Sequence, residues 1–299
     1  MKHRSKVSGV AALLVVVLLG GSILALRRVE SLRGPSATLE EVLFVPSGKT
    51  LKKMSLGYSS LLANIYWTRA VQYFGARLVQ NSNRYDLLYP LLDITTDLDP
   101  HLIEAYQTGS IFLAQRSPAG AAQPEKAVAL LEKGITANPD YWRLYFTLGF
   151  IHYLDRKDYK AAQEAFARGA EVPGALPWMR VMAARMAERS DDIATAFSLW
   201  KAVYDNNHDK MVRDSATKHM ASLRAEADIQ ELQRGVQTYR DKTGSLPASW
   251  RDLVRAGILP GIPVDPSGAV YVLMPNGAVW VEDTKPMPFV GESFQGDVH

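Results

Sequence analysis

The chain has 299 residues, of which 47% are hydrophobic and 22% charged, and its formal net charge is +3. This is ordinary globular usage with enough apolar material for a sizeable core, and the lack of any stripe of Lys and Arg excludes a dedicated nucleic-acid binder. Cysteine is absent, which excludes disulfides, a thiolate nucleophile and a Cys-ligated metal.

A basic tail over residues 1–6 carries Lys2, Arg4 and Lys6, and the twenty residues after it, 7–26, hold no charge. At about 1.5 Å per residue, a helix of that length covers about 30 Å, the thickness of a bilayer's hydrocarbon core. The run stops at Arg27 and Arg28. A cleavable signal peptide shares the basic start and the apolar run, but its run is normally shorter. A cut after Ala25 would also place Ile23 where a small residue is required. The sequence therefore predicts one uncleaved transmembrane anchor. Basic residues flank it almost equally, with Arg27, Arg28 and Arg33 behind it, and the free N-terminal amine tips the balance toward an inside N-terminus. The expected placement is a single-pass protein of a bacterial inner membrane with its C-terminal domain in the periplasm.

Residues 27–56 read as a linker, because Gly34, Pro35, Pro46 and Gly48 interrupt any regular element. Within it, Ser47-Gly48-Lys49-Thr50 matches the end of a phosphate-binding loop. That loop needs a Gly five residues before Gly48, and Leu43 stands there. No nucleotide is expected to bind. A long helix without Pro is predicted over 58–79. Tyr66, Trp67 and Tyr73 either pack against the next helices of the chain, or Asn64, Arg69 and Tyr73 belong to a partner-facing surface.

Beyond this helix, three stretches share one helix-pair pattern. The clearest copy has Leu148 and Gly149 on a first helix, then Tyr159, Ala162, Phe166 and the terminating Pro173-Gly174 on a second. Ala162 and Phe166 are four residues apart and share a helix face. An earlier copy has Gly109, then Ala127, Leu131, Gly134 and Asn138-Pro139, with a long turn over 116–123 between its helices. The first copy ends in Leu88, Leu92, Thr95 and Leu98-Asp99-Pro100. Each Pro forces the residue before it out of helical geometry and closes the second helix. A degraded fourth copy uses Ala196, Trp200 and Val203.

Over residues 57–207 this pattern resembles the tetratricopeptide repeat, a helix–turn–helix unit of about 34 residues. The step of thirteen from Gly149 to Ala162 is one longer than the family's, which predicts a one-residue insertion in Asp155-Arg156-Lys157-Asp158. The resemblance implies an α-solenoid of three to four repeats and a protein-binding rather than catalytic role. It also implies a concave groove lined by the first helix of each pair. On this chain those positions are Arg143, Phe146, Phe150 and Tyr153 in one copy and Ile103, Tyr106, Ser110 and Leu113 in the copy before it. The competing role for the same side chains is contact with the neighbouring pair alone, and a non-repeating helical bundle is the alternative architecture.

An amphipathic helix is predicted across 208–241, burying Met211, Leu223, Ile229, Leu232 and Val236. A small C-terminal module occupies 242–299. Ser245 is expected to cap a short helix through Leu253 with Pro247 in its first turn, and Gly257 to close it. Pro275-Asn276-Gly277 between two apolar runs predicts a β-hairpin. The series Tyr239, Gly244, Pro247, Leu253, Gly257, Leu259, Pro263, Asp265-Pro266, Gly268 and Tyr271 resembles the soluble end of bacterial pseudopilins. The chain departs from that family at its N-terminus, where no leader-peptidase site with a following Glu precedes the apolar run. A cap on the end of the solenoid is the alternative role for this module.

The expected fold is thus mainly α: a transmembrane helix, the solenoid, and a small α+β module with a hairpin. Neither a metal-ligand spacing among the six His residues nor a hydrolase motif is present. Asp191-Asp192 and Asp205 to Asp209 read as solvated turn residues. The expectation is a non-enzymatic scaffold without cofactor or metal. It would hold protein partners of an envelope assembly of the secretion or type IV pilus kind. A cytoplasm-facing adaptor is the second reading, and a hydrolytic envelope enzyme the reading of a different class.

Overall fold

The computed structural model describes residues 47–291, together with Gly20, Gly21, Ile23, Leu24, Arg27 and Arg28, which are helical. Apart from those positions the predicted span over 7–26 lies outside the described residues. Among the described residues no helix is long and apolar enough to cross a membrane. The chain divides into two compact units, residues 1–47 and 48–299, and the second carries the helix pairs.

This unit is mainly helical, with one small antiparallel sheet. A short helix, α1 (Gly48–Met54), precedes four helix pairs: α2 (Ser59–Val79) with α3 (Leu88–Leu98), α4 (Ile103–Ala114) with α5 (Pro124–Ala137), α6 (Trp142–Phe150) with α7 (Tyr159–Ala170), and α8 (Trp178–Arg189) with α9 (Ile193–Asp205). From α2 on each helix packs on its chain neighbours, α1 packs on α3, and α3 also meets α5 as α4 meets α6. Contacts that reach only the adjacent pair are the mark of a repeat-like stack. The long α10 (Lys210–Thr243) closes it, followed by α11 (Trp250–Arg255), β1 (Val272–Leu273) and β2 (Val279–Trp280).

Helix-borne glycines set how closely the pairs approach. A Cβ on Gly149 would lie 2.7 Å from the Phe166 ring, one on Gly134 2.7 Å from Tyr106, and one on Gly169 2.6 Å from Cβ of Tyr145. Phe166 of the clearest copy is thus the side chain that lies nearest to Gly149. Gly48, a breaker of regular structure by residue type, instead opens α1. Its missing Cβ lets the helix settle on α3, against the Asp97 side chain.

Two connections differ from their expected form. The extra residue near 155–158 is absorbed within the helix as a π-helical segment, Ile151–Arg156, continuing α6. Lys157 then turns left-handed at φ 57°, and Asp158 caps α7 by accepting from the Ala161 N–H at 3.0 Å. The turn over 116–123 is exposed at its start and folds its end back onto α4. The amides of Ala121, Gln123 and Ala122 donate to the carbonyls of Phe112, Leu113 and Gln115. These are among the last carbonyls of the helix, which otherwise lack partners.

Helix α10 serves two cores. Its first half places Ala216 and Leu223 against Ala184, Ala187, Ala196, Trp200 and Val203 of the last pair. Its second half gives Ala225, Ile229, Leu232 and Val236 to the C-terminal module, with Trp250, Leu253, Tyr271 and Val279. The predicted boundary near 241 therefore cuts through one packed body. At the joint, the buried His219 ring lies flat between Trp200, 4.0 Å away, and Phe289, 3.7 Å away. Both His219 Nδ1 and the Trp200 Nε1–H meet Glu188 Oε1 at 2.8 Å.

In the module the helix cap is Ser249 rather than Ser245. The Ser249 N–H donates to the Asp252 carboxylate at 2.9 Å in a capping box. The hairpin is present but short, pairing Val272 with Trp280 and Leu273 with Val279. Gly277, at φ 86°, makes its turn by donating to the Met274 carbonyl. Trp250 Nε1–H donates to the Tyr271 carbonyl at 2.6 Å, and the Tyr271 hydroxyl donates to Asp228 on α10 at 3.0 Å. Burial and then that carboxylate hold the Tyr271 phenol far above its ordinary range.

Candidate partner-binding groove

Helix α6 and the π-helical segment that continues it carry a partly open aromatic face. Trp142, Phe146, Phe150 and Tyr153 recur at intervals of four, four and three residues, which places them in one stripe. All four are half-buried. Successive rings lie 6.0, 4.9 and 6.5 Å apart by their centroids. The stripe is backed by Phe166 of α7, 5.3 Å from Phe150 and edge-on to it, a favoured aromatic geometry.

Helix α8 forms the other wall. Trp178 at its start lies 5.4 Å from Phe146 and 6.2 Å from Phe150, yet 37% of it stays exposed. Arg189 at its end sits over the rings of Tyr153 and Tyr159 at 5.4 and 5.7 Å. At the opposite end of the stripe, the exposed Arg143 lies 4.6 Å above the Trp142 ring. Neither guanidinium meets a carboxylate among the described residues. The result is an apolar furrow with a cation at each end.

Beneath it, the π-helical segment holds two perturbed groups. Burial, and then the Arg156 guanidinium 3.2 Å from Nδ1, push His152 below its ordinary range. Burial raises the Asp155 carboxyl, opposed by Arg116. No three His, Asp or Glu residues among those described gather as a metal site.

The structure brings together only part of the predicted set. Arg143, Phe146, Phe150 and Tyr153 meet in the furrow. Tyr106 and Ser110 have no exposed surface and belong to the core, which corrects their assignment to a groove. Leu113 is likewise sealed, while Ile103 is half-buried. The cause is a one-residue slip in aligning the copies. Equating Gly109 with Gly149 puts Tyr106 opposite Phe146. The contacts instead pair Tyr106 with Tyr145, since each closes on the glycine of its own second helix, Gly134 or Gly169. Ser110 then matches Gly149, and Gly109 faces Leu92 of the preceding pair. One residue is about 100° of helix rotation, enough to carry a side chain from groove to core.

With that alignment, the groove positions of α4 become Gln107 and the 40%-exposed Ile111. Neither they nor Trp178 and Arg189 stand out in the sequence. A Tyr on the first helix recurring with a Gly late on the second, as Tyr106 with Gly134 and Tyr145 with Gly169, is the signal that could have found the first two. On α2, Tyr73 is buried and its hydroxyl accepts from the Leu87 N–H at 3.5 Å. Asn64 and Arg69 are exposed but point about 140° apart around the helix. These three do not form a common surface.

No protein-family model, curated protein or solved structure matches this chain. The furrow's own chemistry is therefore what bears on function.

Proposed function

We propose that this protein is a membrane-anchored, non-catalytic scaffold whose tetratricopeptide-type helix pairs hold a protein partner in the furrow between α6 and α8. The furrow itself carries the reading, with five partly open rings across two helices and Arg143 and Arg189 at its ends without carboxylate partners among the described residues. Aromatic and Arg anchors concentrate binding energy at protein interfaces, and unpaired cations at a rim favour partners carrying acidic residues. A segment with apolar side chains flanked by carboxylates suits this surface. The envelope setting rests on the sequence, through the apolar run over 7–26 and the pseudopilin-like series near the C-terminus. On this reading the domain faces the periplasm and organises a secretion or type IV pilus assembly.

The test is recovery of crosslinked partners with the full-length chain in native membranes. Arg143→Glu is expected to remove the partner while leaving the thermal midpoint unchanged, because Arg143 is exposed and its guanidinium lies over the rings of Tyr141 and Trp142. Undiminished recovery of every partner by this variant would refute the groove.

A further inference from the structure

The α1–α2 edge is basic and free of acidic residues. Residues 48–79 hold Lys49, Lys52, Lys53, Arg69 and Arg77 and not one Asp or Glu. Large apolar side chains stand open on the same edge: Leu56 is 87% exposed, Met54 71%, Tyr58 69% and Leu61 59%. Single exposed apolar residues need no explanation, but four within eight residues beside three lysines do.

This exposure is built into the turn. Ser55 is buried and its hydroxyl donates to the Lys52 carbonyl at 2.7 Å, while the Tyr58 N–H donates to the Ser55 carbonyl at 2.8 Å. Leu56 is thereby held left-handed at φ 51°, a conformation a leucine rarely adopts. None of Lys49, Lys52 and Lys53 pairs with a carboxylate among the described residues. Asp93 and Asp97 on α3, the helix against which α1 packs, pair with Lys133 at 2.7 and 2.6 Å.

We propose that this edge is a second, peripheral membrane contact, in which Met54, Leu56 and Tyr58 enter the headgroup region of an anionic bilayer while Lys49, Lys52 and Lys53 engage lipid phosphates. Charge complementarity selects the occupant. Surfaces that bind anionic leaflets combine lysines with apolar and aromatic tips and exclude acids, and Tyr is at home at the headgroup level. The contact would fix the stack's tilt against the membrane and leave the α6–α8 furrow free.

The absence of cysteine gives a clean test. A single Leu56→Cys in the full-length chain is labelled with an environment-sensitive dye, and the protein is combined with phosphatidylcholine vesicles with or without phosphatidylglycerol. A label at Ala256→Cys, exposed on the C-terminal module, serves as the reference. The Leu56 label is expected to shift to the blue and to be quenched by bromolipids only when phosphatidylglycerol is present, while the reference label stays aqueous. Lys49→Gln, Lys52→Gln and Lys53→Gln together should lower the phosphatidylglycerol preference more than tenfold, each lysine contributing roughly fivefold at low salt. An aqueous Leu56 label in phosphatidylglycerol vesicles overturns the proposal. So does shielding that ignores lipid composition and grows with protein concentration, which would mean contact with a second copy.

Discussion

Helices α4 and α6 open successive pairs and turn equivalent faces outward, yet α4 fills that face with Gln107 and Ile111 where α6 has Phe146 and Phe150. On α4 the aromatic Tyr106 is sealed over Gly134, and Ser110 is sealed beside it. On α6 the equivalent Tyr145 is sealed over Gly169, and one residue further round Phe146, Phe150 and Tyr153 remain half-open. Aromatic content alone does not distinguish a core position from a groove position. What decides is phase relative to the glycine on the partner helix, because that glycine admits one ring and turns the next residue about 100° away.

The sharpest way to break this comparison is truncation. Tyr106→Ala should destabilise the domain by about 3 to 5 kcal/mol, the range for emptying a buried aromatic site. Trp178→Ala, at a partly exposed site, should cost under about 1 kcal/mol by the same denaturant titration. Comparable losses at both sites would erase the distinction between core and groove positions.

Overpacking probes the glycines themselves. Gly149→Leu should cost about 2 to 3 kcal/mol by driving a side chain into the Phe166 ring. Ala162→Trp should also destabilise, since Ala162 has no exposed surface. The pair should not be additive, because the two sites abut the same helix contact. An unchanged thermal midpoint for both variants would place the register elsewhere.

Binding is expected to respond in the opposite order from stability. Trp178→Ala should weaken partner binding by about 2 kcal/mol, roughly thirtyfold, as loss of an aromatic anchor does. The check is a binding titration against the partner recovered by crosslinking. A smaller and more local effect comes from pH. His152 is held neutral by burial and by Arg156, so its folded pKa lies below its unfolded one. The unfolded chain then takes up the proton first, and stability is lost as pH falls below about 6.5. Between pH 6.5 and 5, wild type should lose stability faster than His152→Asn, by at most about 1.4 kcal/mol per pH unit. Parallel curves would remove His152 from the account.

Much of the fold is legible in the chain. The helical periodicity, the Asp99-Pro100 and Asn138-Pro139 stops and the Asn276-Gly277 turn are local signals, and the corresponding elements are present. What stays hidden depends on contacts between elements. Gly48 looks like a breaker until the Asp97 side chain is seen against it. Ser245 suits a cap by residue type, but Ser249 has Asp252 three residues on to complete the box. The register between repeats escapes the sequence because Gly109 and Gly149 look alike and differ only in what they touch. In the furrow, four aromatic and basic residues of α6 are legible from spacing. Trp178 and Arg189 are not, since they reach it only through the packing of the next pair.

The most direct test of the furrow's role is site-specific photo-crosslinking of the full-length chain in native membranes. The crosslinker is placed in turn at Phe146, at Trp178 and at Lys160, which is exposed on α7. The account predicts adducts to one and the same protein from positions 146 and 178, both reduced at least tenfold by Arg143→Glu, and no such adduct from position 160. Adducts from position 160 alone, or adducts at 146 and 178 that Arg143→Glu leaves intact, would contradict it.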